Sequence, residues 1–484
     1  MTMHPFFSAS PAWRKHRPGA FTLIELLLLI GLIPAVHSAK PIALHPANPH
    51  YFLFRGQPAI LITGTEHYGA VLNLDFDYLT YLNTLKADGL NLTRTFAGAY
   101  VEHSAAFNIS HNTLAPLPNR FLCPWSRSPT PGYANGGNKF DLQNWDQAYF
   151  KRLKDFVAQA GKRGLVVEFV LFCPFYEDAQ WSLSPMNAAN NIQGIGATAR
   201  TNVYTLGHHD LLPVQEALVR KLVTELKDFD NLYYEICNEP YFGGVTLDWQ
   251  AHIAKLIVET EKKLNTQHLI AQNIANGSAR VQNPDPNVSI FNFHYATPPE
   301  AVAANYGLNK IIADDETGFK GIADRSYRQE AWEFILAGGA VFDHLDYSFT
   351  AGHENGTFEL PLKQPGGGSP ALRRQLKALK DFIHRVDFVR MKPNNDLFKG
   401  GIPVGATARA LIEPGQAYAL YIRGGTQANL KLDLPAGAYQ VEWLNPRSGN
   451  IDKKETLNHR GGSVLVASPD YEEDIALRIM RSGK

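Results

Sequence analysis

Two glutamates in this chain stand where a pair of carboxyl groups can work on one bond. Glu239 closes the run Leu232-Tyr233-Tyr234-Glu235-Ile236-Cys237-Asn238-Glu239-Pro240, and Glu316 follows Ile311-Ile312-Ala313 in the triplet Asp314-Asp315-Glu316. Each comes after an apolar stretch of the kind that forms a strand buried on both faces. Pro240 marks where the first of these strands must stop. Two facing carboxyl groups, one protonated and one ionised, suit cleavage of a glycosidic bond: one protonates the departing oxygen, the other attacks the anomeric carbon. A separation of about 5–5.5 Å gives retention, and a wider one leaves room for water and gives inversion. Asn238 is placed to donate to the sugar's 2-hydroxyl. Within the acidic triplet, strand alternation and the following Thr317-Gly318 favour Glu316, with Asp315 second.

For these side chains to meet, both strand ends must open on the same face. After residue 40 the sequence alternates short apolar runs with amphipathic ones. Strands are expected at 60–64, 90–96, 165–172, 232–237, 268–272, 289–294, 310–314 and 340–347. Helices are expected at 76–87, 145–160, 212–226, 249–264, 328–336 and 371–384. Eight β/α alternations in order predict an α/β fold, a closed (β/α)8 TIM barrel with its chemistry at the C-terminal strand ends. No Gly-x-Gly-x-x-Gly follows the first strand, which argues against a dinucleotide fold. Glu239 then ends strand four and Glu316 strand seven. Residues 98–139 read as a long loop rich in Pro, Gly, Ser and Asn, on the face where barrel sites form. Short runs at 408–412, 417–422, 430–434, 439–444, 464–467 and 475–480 predict a small all-β sandwich. The expected partition is a leader at 1–39, a barrel at 40–392 and a β-sandwich at 393–484.

Composition narrows the partners. Lys plus Arg and Asp plus Glu both number 46 in the 484 residues, so no basic surplus points to nucleic acid. Three widely spaced cysteines, Cys123, Cys173 and Cys237, exclude a disulfide scaffold and a zinc-ribbon spacing. His208-His209-Asp210 resembles a metal cluster, but adjacent histidines point apart, and Asp210 reads better as a helix N-cap. At the N-terminus, Arg14, Lys15 and Arg17 precede an apolar run from 21 to 36 and then His37-Ser38-Ala39, the order of a secretory signal. The run is too short for a spanning helix, so no stable membrane span is expected after cleavage near Ala39. Phe21-Thr22-Leu23-Ile24-Glu25-Leu26-Leu27 also resembles the leader of type IV pilin-like proteins, with Ala20 interrupting the usual Gly-Phe junction. That alternative places the mature N-terminus near Ala20 or Phe21.

Asn238-Glu239-Pro240 and Glu316-Thr317-Gly318 together resemble the clan of retaining (β/α)8 glycoside hydrolases that includes the family-five cellulases. The resemblance implies Glu239 as acid/base and Glu316 as nucleophile, Arg94 in Asn91-Leu92-Thr93-Arg94 as the arginine orienting the nucleophile, and His294 and Tyr295 near the sugar. Strand eight departs from the clan's tryptophan, so Tyr347 or Phe349 takes that place. His67, in Glu66-His67-Tyr68, and Trp181 are further substrate-binding candidates, with His103, Trp125, Asn190, Asn191, His353 and Glu354 behind them. The run 438–446 with Arg447-Ser448-Gly449 resembles accessory β domains, including those called collagen-binding domains. The implied activity is retaining hydrolysis of β-type bonds in a polysaccharide or oligosaccharide by an exported protein, with no metal or organic cofactor. The alternatives are a non-catalytic carbohydrate-binding barrel and a transglycosylase.

Overall fold

Eight parallel strands carry the larger part of the chain: β1 Leu61–Thr65, β2 Leu92–Phe96, β3 Val166–Phe172, β4 Leu232–Cys237, β5 Ile270–Asn276, β6 Ile290–His294, β7 Ile311–Thr317 and β8 Val341–Leu345. The computed structural model describes residues 40–483, so the leader expected at 1–39 lies outside the described residues. Backbone ladders run from β2 through β3 to β8 and on to β1, in sequence order. The last gap, between β1 and β2, is bridged mainly by side chains. Asn91 accepts from Ile62 N and donates to Ile60 O, both at 2.8 Å, and the Thr63 hydroxyl donates to Leu92 O at 2.7 Å. The fold is thus the expected (β/α)8 barrel. Strand β5 runs later than expected because a bulge between Asn273 and Ala275 keeps the polar Asn273 and Asn276 in the ladder with β6.

Helices α1 Tyr78–Ala87, α2 Gln147–Lys162, α3 Leu211–Leu226, α4 Leu247–Leu264, α5 Glu300–Asn305, α6 Asp324–Leu336 and α7 Pro370–Ile383 surround the strands. Asp77, Asp146, Thr246 and Ser369 cap four of them through their side chains. Helix α2 begins two residues later than expected, because Trp145 ends a strand and Asp146 is the cap. Asp210 occupies the N-cap position of α3 but makes no capping bond there; its carboxylate takes Gly196 N and His208 instead. Between β5 and β6 no helix forms. Gly277 and the prolines of Asn283-Pro284-Asp285-Pro286 leave no uninterrupted run for one. Residues 98–139, expected to be a loop, contain most of a hairpin pairing Trp125–Pro131 with Asn138–Trp145. No described helix is long and apolar enough to cross a membrane.

The chain ends in an all-β domain: β9 Thr407–Glu413, β10 Ala417–Arg423, β11 Asn429–Leu434, β12 Gly437–Leu444, β13 Ile451–His459, β14 Gly462–Ala467 and β15 Asp474–Arg481. One antiparallel sheet orders Lys392–Pro393, β9, β10, β15, β12 and β13; the other orders Phe398–Gly400, β11 and β14. Strand β13 was missing from the expected set because Ile-Asp-Lys-Lys-Glu-Thr-Leu-Asn-His is a polar edge strand with no apolar run to announce it. Leu430, Leu432, Val441, Trp443 and Ile479 belong to the core between the sheets. The other face of the larger sheet joins the barrel's core through Leu411, Ala419, Tyr421 and Ala476. It packs on α6, where every residue from Tyr327 to Leu336 is buried. Trp332 stacks on Tyr421 at 5.4 Å between ring centroids. Arg328 binds Asp474 through two nitrogens, at 2.9 and 3.0 Å.

Candidate active site

The C-terminal strand ends enclose a cavity of about 630 Å³, with Glu239 and Glu316 in its wall. Glu239 lies two residues past β4, and Glu316 sits at the end of β7 beside His294 of β6. One ligating atom each from Glu239, His294 and Glu316 lies within 4.8 Å of the other two. Of the non-glycine wall residues with left-handed backbones, three belong to the carboxylate pair or touch it: Tyr68 at φ 60°, Glu239 at 36° and Tyr295 at 55°. Such conformations are costly and persist where surrounding contacts enforce them. Here each residue sends its side chain to one of the two carboxylates or is one of them.

Glu316 accepts from Tyr68 OH at 3.0 Å, from Arg94 Nη1 at 3.2 Å and from Tyr295 OH at 2.5 Å. Arg94 is fully buried. It also donates to Glu235 at 2.6 Å and to Asn238 Oδ1 at 2.8 Å, and it stacks over the Tyr68 ring. Glu239 accepts from Tyr176 OH at 2.6 Å and Tyr241 OH at 3.2 Å, and lies 3.3 Å from His294 Nδ1. Burial pushes the Glu239 carboxyl up, but the contacts with His294 and Tyr176 more than offset it, leaving it below the usual carboxylate range. Beneath these groups Glu168, Glu235 and Asp315 crowd around Arg94. Burial drives Glu235 up to about 7, and Asp315 well above its ordinary range. One guanidinium cannot balance that many buried carboxylates, so some of them hold protons.

The expected residues divide by place. Arg94, Asn238, His294 and Tyr295 gather around the two glutamates, as described. His67 lines the cavity, 3.3 Å from Glu102. Tyr347 is buried, with its ring 6.0 Å from that of His67. Asp315 points under the site toward Arg94 and Asn292, so Glu316 is the member of the triplet that reaches the cavity. Trp181 is turned away: it packs on Phe175, and its indole N–H donates to Thr198 O. Asn190 and Asn191 spend their amides on loop backbone, and Glu354 accepts from Asp77 N and Gly352 N. Both donor contacts of Asn238 Nδ2 are already directed, at Tyr176 OH (2.9 Å) and Cys173 Sγ (3.6 Å), so a sugar hydroxyl competes there with the weak sulfur contact.

Four groups went unforeseen. Tyr176, Tyr241 and Glu102 sit on loops after β3, β4 and β2, where nothing in the periodicity singles out one residue. Asn276 sits at the end of the displaced β5. Tyr176 is the one with a signal, three residues beyond Cys173 at a strand end. Glu102 is fixed by Tyr100 OH at 2.9 Å and Asn112 as well as by His67. A side chain at Gly69 would lie 2.2 Å from Thr113 O, so the bare glycine lets the 112–114 segment pack against the turn at 66–69, where the Thr113 hydroxyl donates to Glu66. Two sets of side chains have metal-ligand spacing, Glu239-His294-Glu316 and Glu168-Glu235-Asp315. The first is taken up by tyrosine hydroxyls, and Arg94 already lies among the second.

No protein-family model matches the sequence, and a comparison with curated proteins returned no match. Solved structures do match. A candidate glycoside hydrolase from Bacteroides vulgatus ATCC 8482 superposes with a TM-score of 0.64 at 15% identity, over 93% of this chain and 84% of that one. A protein described as a glycoside hydrolase gives 0.61 at 16% identity, over 92% and 98%. A family 5 glycoside hydrolase from Bacteroides vulgatus ATCC 8482 gives 0.61 at 15% identity, over 92% and 95%. At these identities the likeness is one of fold, and it extends over the barrel and the β domain together.

Proposed function

We propose that this protein is a glycoside hydrolase that cleaves β-type bonds of a polysaccharide or oligosaccharide by double displacement with retention. The observation that carries the reading is the pair of carboxylates, with oxygens within 4.8 Å of one another on one cavity wall. That spacing suits direct attack rather than attack through an intervening water. Glu316 is the nucleophile: Arg94, Tyr68 and Tyr295 all donate to its carboxylate and fix its direction. Glu239 is the acid/base. In the unliganded site its hydrogen bonds favour the ionised form, which is the form that activates water in the second step. A glycosidic oxygen seated against it displaces one of those donors and deepens its burial, and both changes raise its affinity for the proton needed in the first step.

Glu239→Gln is expected to lower aryl-glycoside turnover by roughly 10²–10⁴-fold, and Glu316→Gln to abolish it. Turnover near the parent rate in either variant sinks the assignment. NMR of the first-formed anomer tests retention separately. Phe107, Phe242 and Phe319 expose about two-fifths of their surface around the cavity, a surface that suits a sugar acceptor as well as a leaving group. Transglycosylation is therefore the second reading, read out as products longer than the substrate. Export rests on the basic, apolar, small-residue order of residues 1–39, and the mass of the mature N-terminus tests it.

A further inference from the structure

The missing helix between β5 and β6 leaves a second cavity, of about 760 Å³, outside the barrel wall. Its inner side is formed by Ile236 of β4 and Ile274 of β5, and the loop at 279–288 closes it where a helix would otherwise pack. Two amides line it. Gln250 of α4 is 2% exposed and Gln272 of β5 is 8% exposed. Gln272 Nε2 donates to Gln250 Oε1 at 3.0 Å, which fixes both side chains. That bond leaves Gln272 Oε1 as a free acceptor and Gln250 Nε2 as a free donor, with no partner among the described residues. Leu247, 72% exposed, stands on the α4 side.

A fixed acceptor beside a fixed donor matches a pair of neighbouring hydroxyls, since each hydroxyl both gives and takes a hydrogen bond. An apolar wall beside them matches the C–H face of a pyranose ring. The Gln250–Gln272 pair carries no charge, and the charged side chains of the lining, Asp248, Arg280 and Asp285, are of mixed sign. Tyr241 forms the partition between this cavity and the catalytic one. It lines the second cavity, while its hydroxyl bonds Glu239 at 3.2 Å and Asn276, which lines the first.

We propose that this cavity is a second carbohydrate site, holding a neutral sugar unit on the Gln250–Gln272 pair and sharing Tyr241 with the catalytic cavity. Its chemistry stands on these residues, and only its pairing with a catalytic neighbour rests on the hydrolase reading. A sugar here engages the protein beside the acid/base rather than in line with the scissile bond. Chains long enough to reach both cavities gain from joint occupancy, and a monosaccharide glycoside gains nothing.

The test uses the full chain carrying Glu239→Gln, titrated by NMR with cellotetraose, mannotetraose and xylotetraose. The expected result is two saturable binding events for at least one of the three. Gln272→Leu and, separately, Ala251→Trp, which places an indole over the cavity from the exposed face of α4, each remove one event. In the background that retains Glu239, both variants keep aryl-monosaccharide turnover within about twofold of the parent, as expected for a change outside the transition-state contacts. Binding that survives both substitutions, whether as one event or as two, overturns the site. Loss of aryl-glycoside turnover in step with binding also overturns it, because the residues then serve the catalytic cavity. A parent that cleaves no glycoside yet binds one equivalent sensitive to Gln272→Leu retains the site and defeats the hydrolase reading.

Discussion

At the scale of single residues, the site is governed by which donors reach which carboxylate. Tyr176 is the donor at 2.6 Å on the Glu239 oxygen away from His294, and donation to a carboxylate stabilises its charged form. In the proposed acid/base role Glu239 carries a proton when substrate arrives, so kcat/KM is expected to fall as pH rises through its pKa in the free protein. Tyr176→Phe removes the donor, raises that pKa and moves the basic limb of kcat/KM to higher pH, by up to about one unit. A pH–rate profile with an unmoved limb would contradict it. In the sequence, Glu239, Glu316 and Arg94 were legible because each closes a strand whose pattern is unmistakable. Tyr176, Tyr241 and Glu102 were not, because a loop has no period from which to read the direction of a side chain. Trp181 illustrates the converse. An aromatic residue on a loop near the mouth is as well suited to packing as to binding, and here Phe175 and the Thr198 carbonyl hold it.

At the scale of elements, the eight strands followed from apolar runs and punctuation, and the exceptions have physical causes. Strand β5 is displaced by a bulge, β13 is a polar edge, and Pro284 and Pro286 stand where a helix would otherwise form. The β1–β2 seam depends on Asn91, whose amide serves a backbone N–H and a backbone C=O. Asn91→Ala should cost about 2 kcal/mol by leaving both groups without that partner, measurable by urea denaturation; a change below a few tenths would remove Asn91 from the closure. The barrel mouth adds a dependence on pH. Burial raises Glu66 and Glu235 each to about 7, against about 4.3 in an unfolded chain. A raised folded pKa means that the folded state holds more protons between those values. Its stabilising contribution is complete below about pH 4.3 and is lost as pH rises through 7. The melting temperature should therefore fall from pH 5 to pH 8, and Glu66→Gln should flatten the slope. A flat parent profile would show that neither carboxyl retains its proton.

At the scale of the molecule, the barrel and the β domain share a face. In α6, ten successive residues are buried, although a barrel helix ordinarily keeps one side in water. Trp332 and Arg328 lie on the side covered by the β domain. Arg328→Ala leaves the carboxylate of Asp474 buried with less compensation, and a loss of roughly 3–5 kcal/mol is expected, read from the denaturation midpoint. A chain ended after Met391 should aggregate, because it exposes Trp332; recovery of a monodisperse, folded barrel by size exclusion would refute this. The sequence announced two domains but not this contact, since the period of α6 reports an amphipathic helix without naming what lies on its second side. That contact has a mechanical consequence. A hinge requires a solvated linker and a sliding surface, whereas stacked rings and a two-pronged ion pair resist shear. Both domains should tumble with one rotational correlation time, so a ligand held by the β domain would lie at a fixed distance and bearing from Glu239.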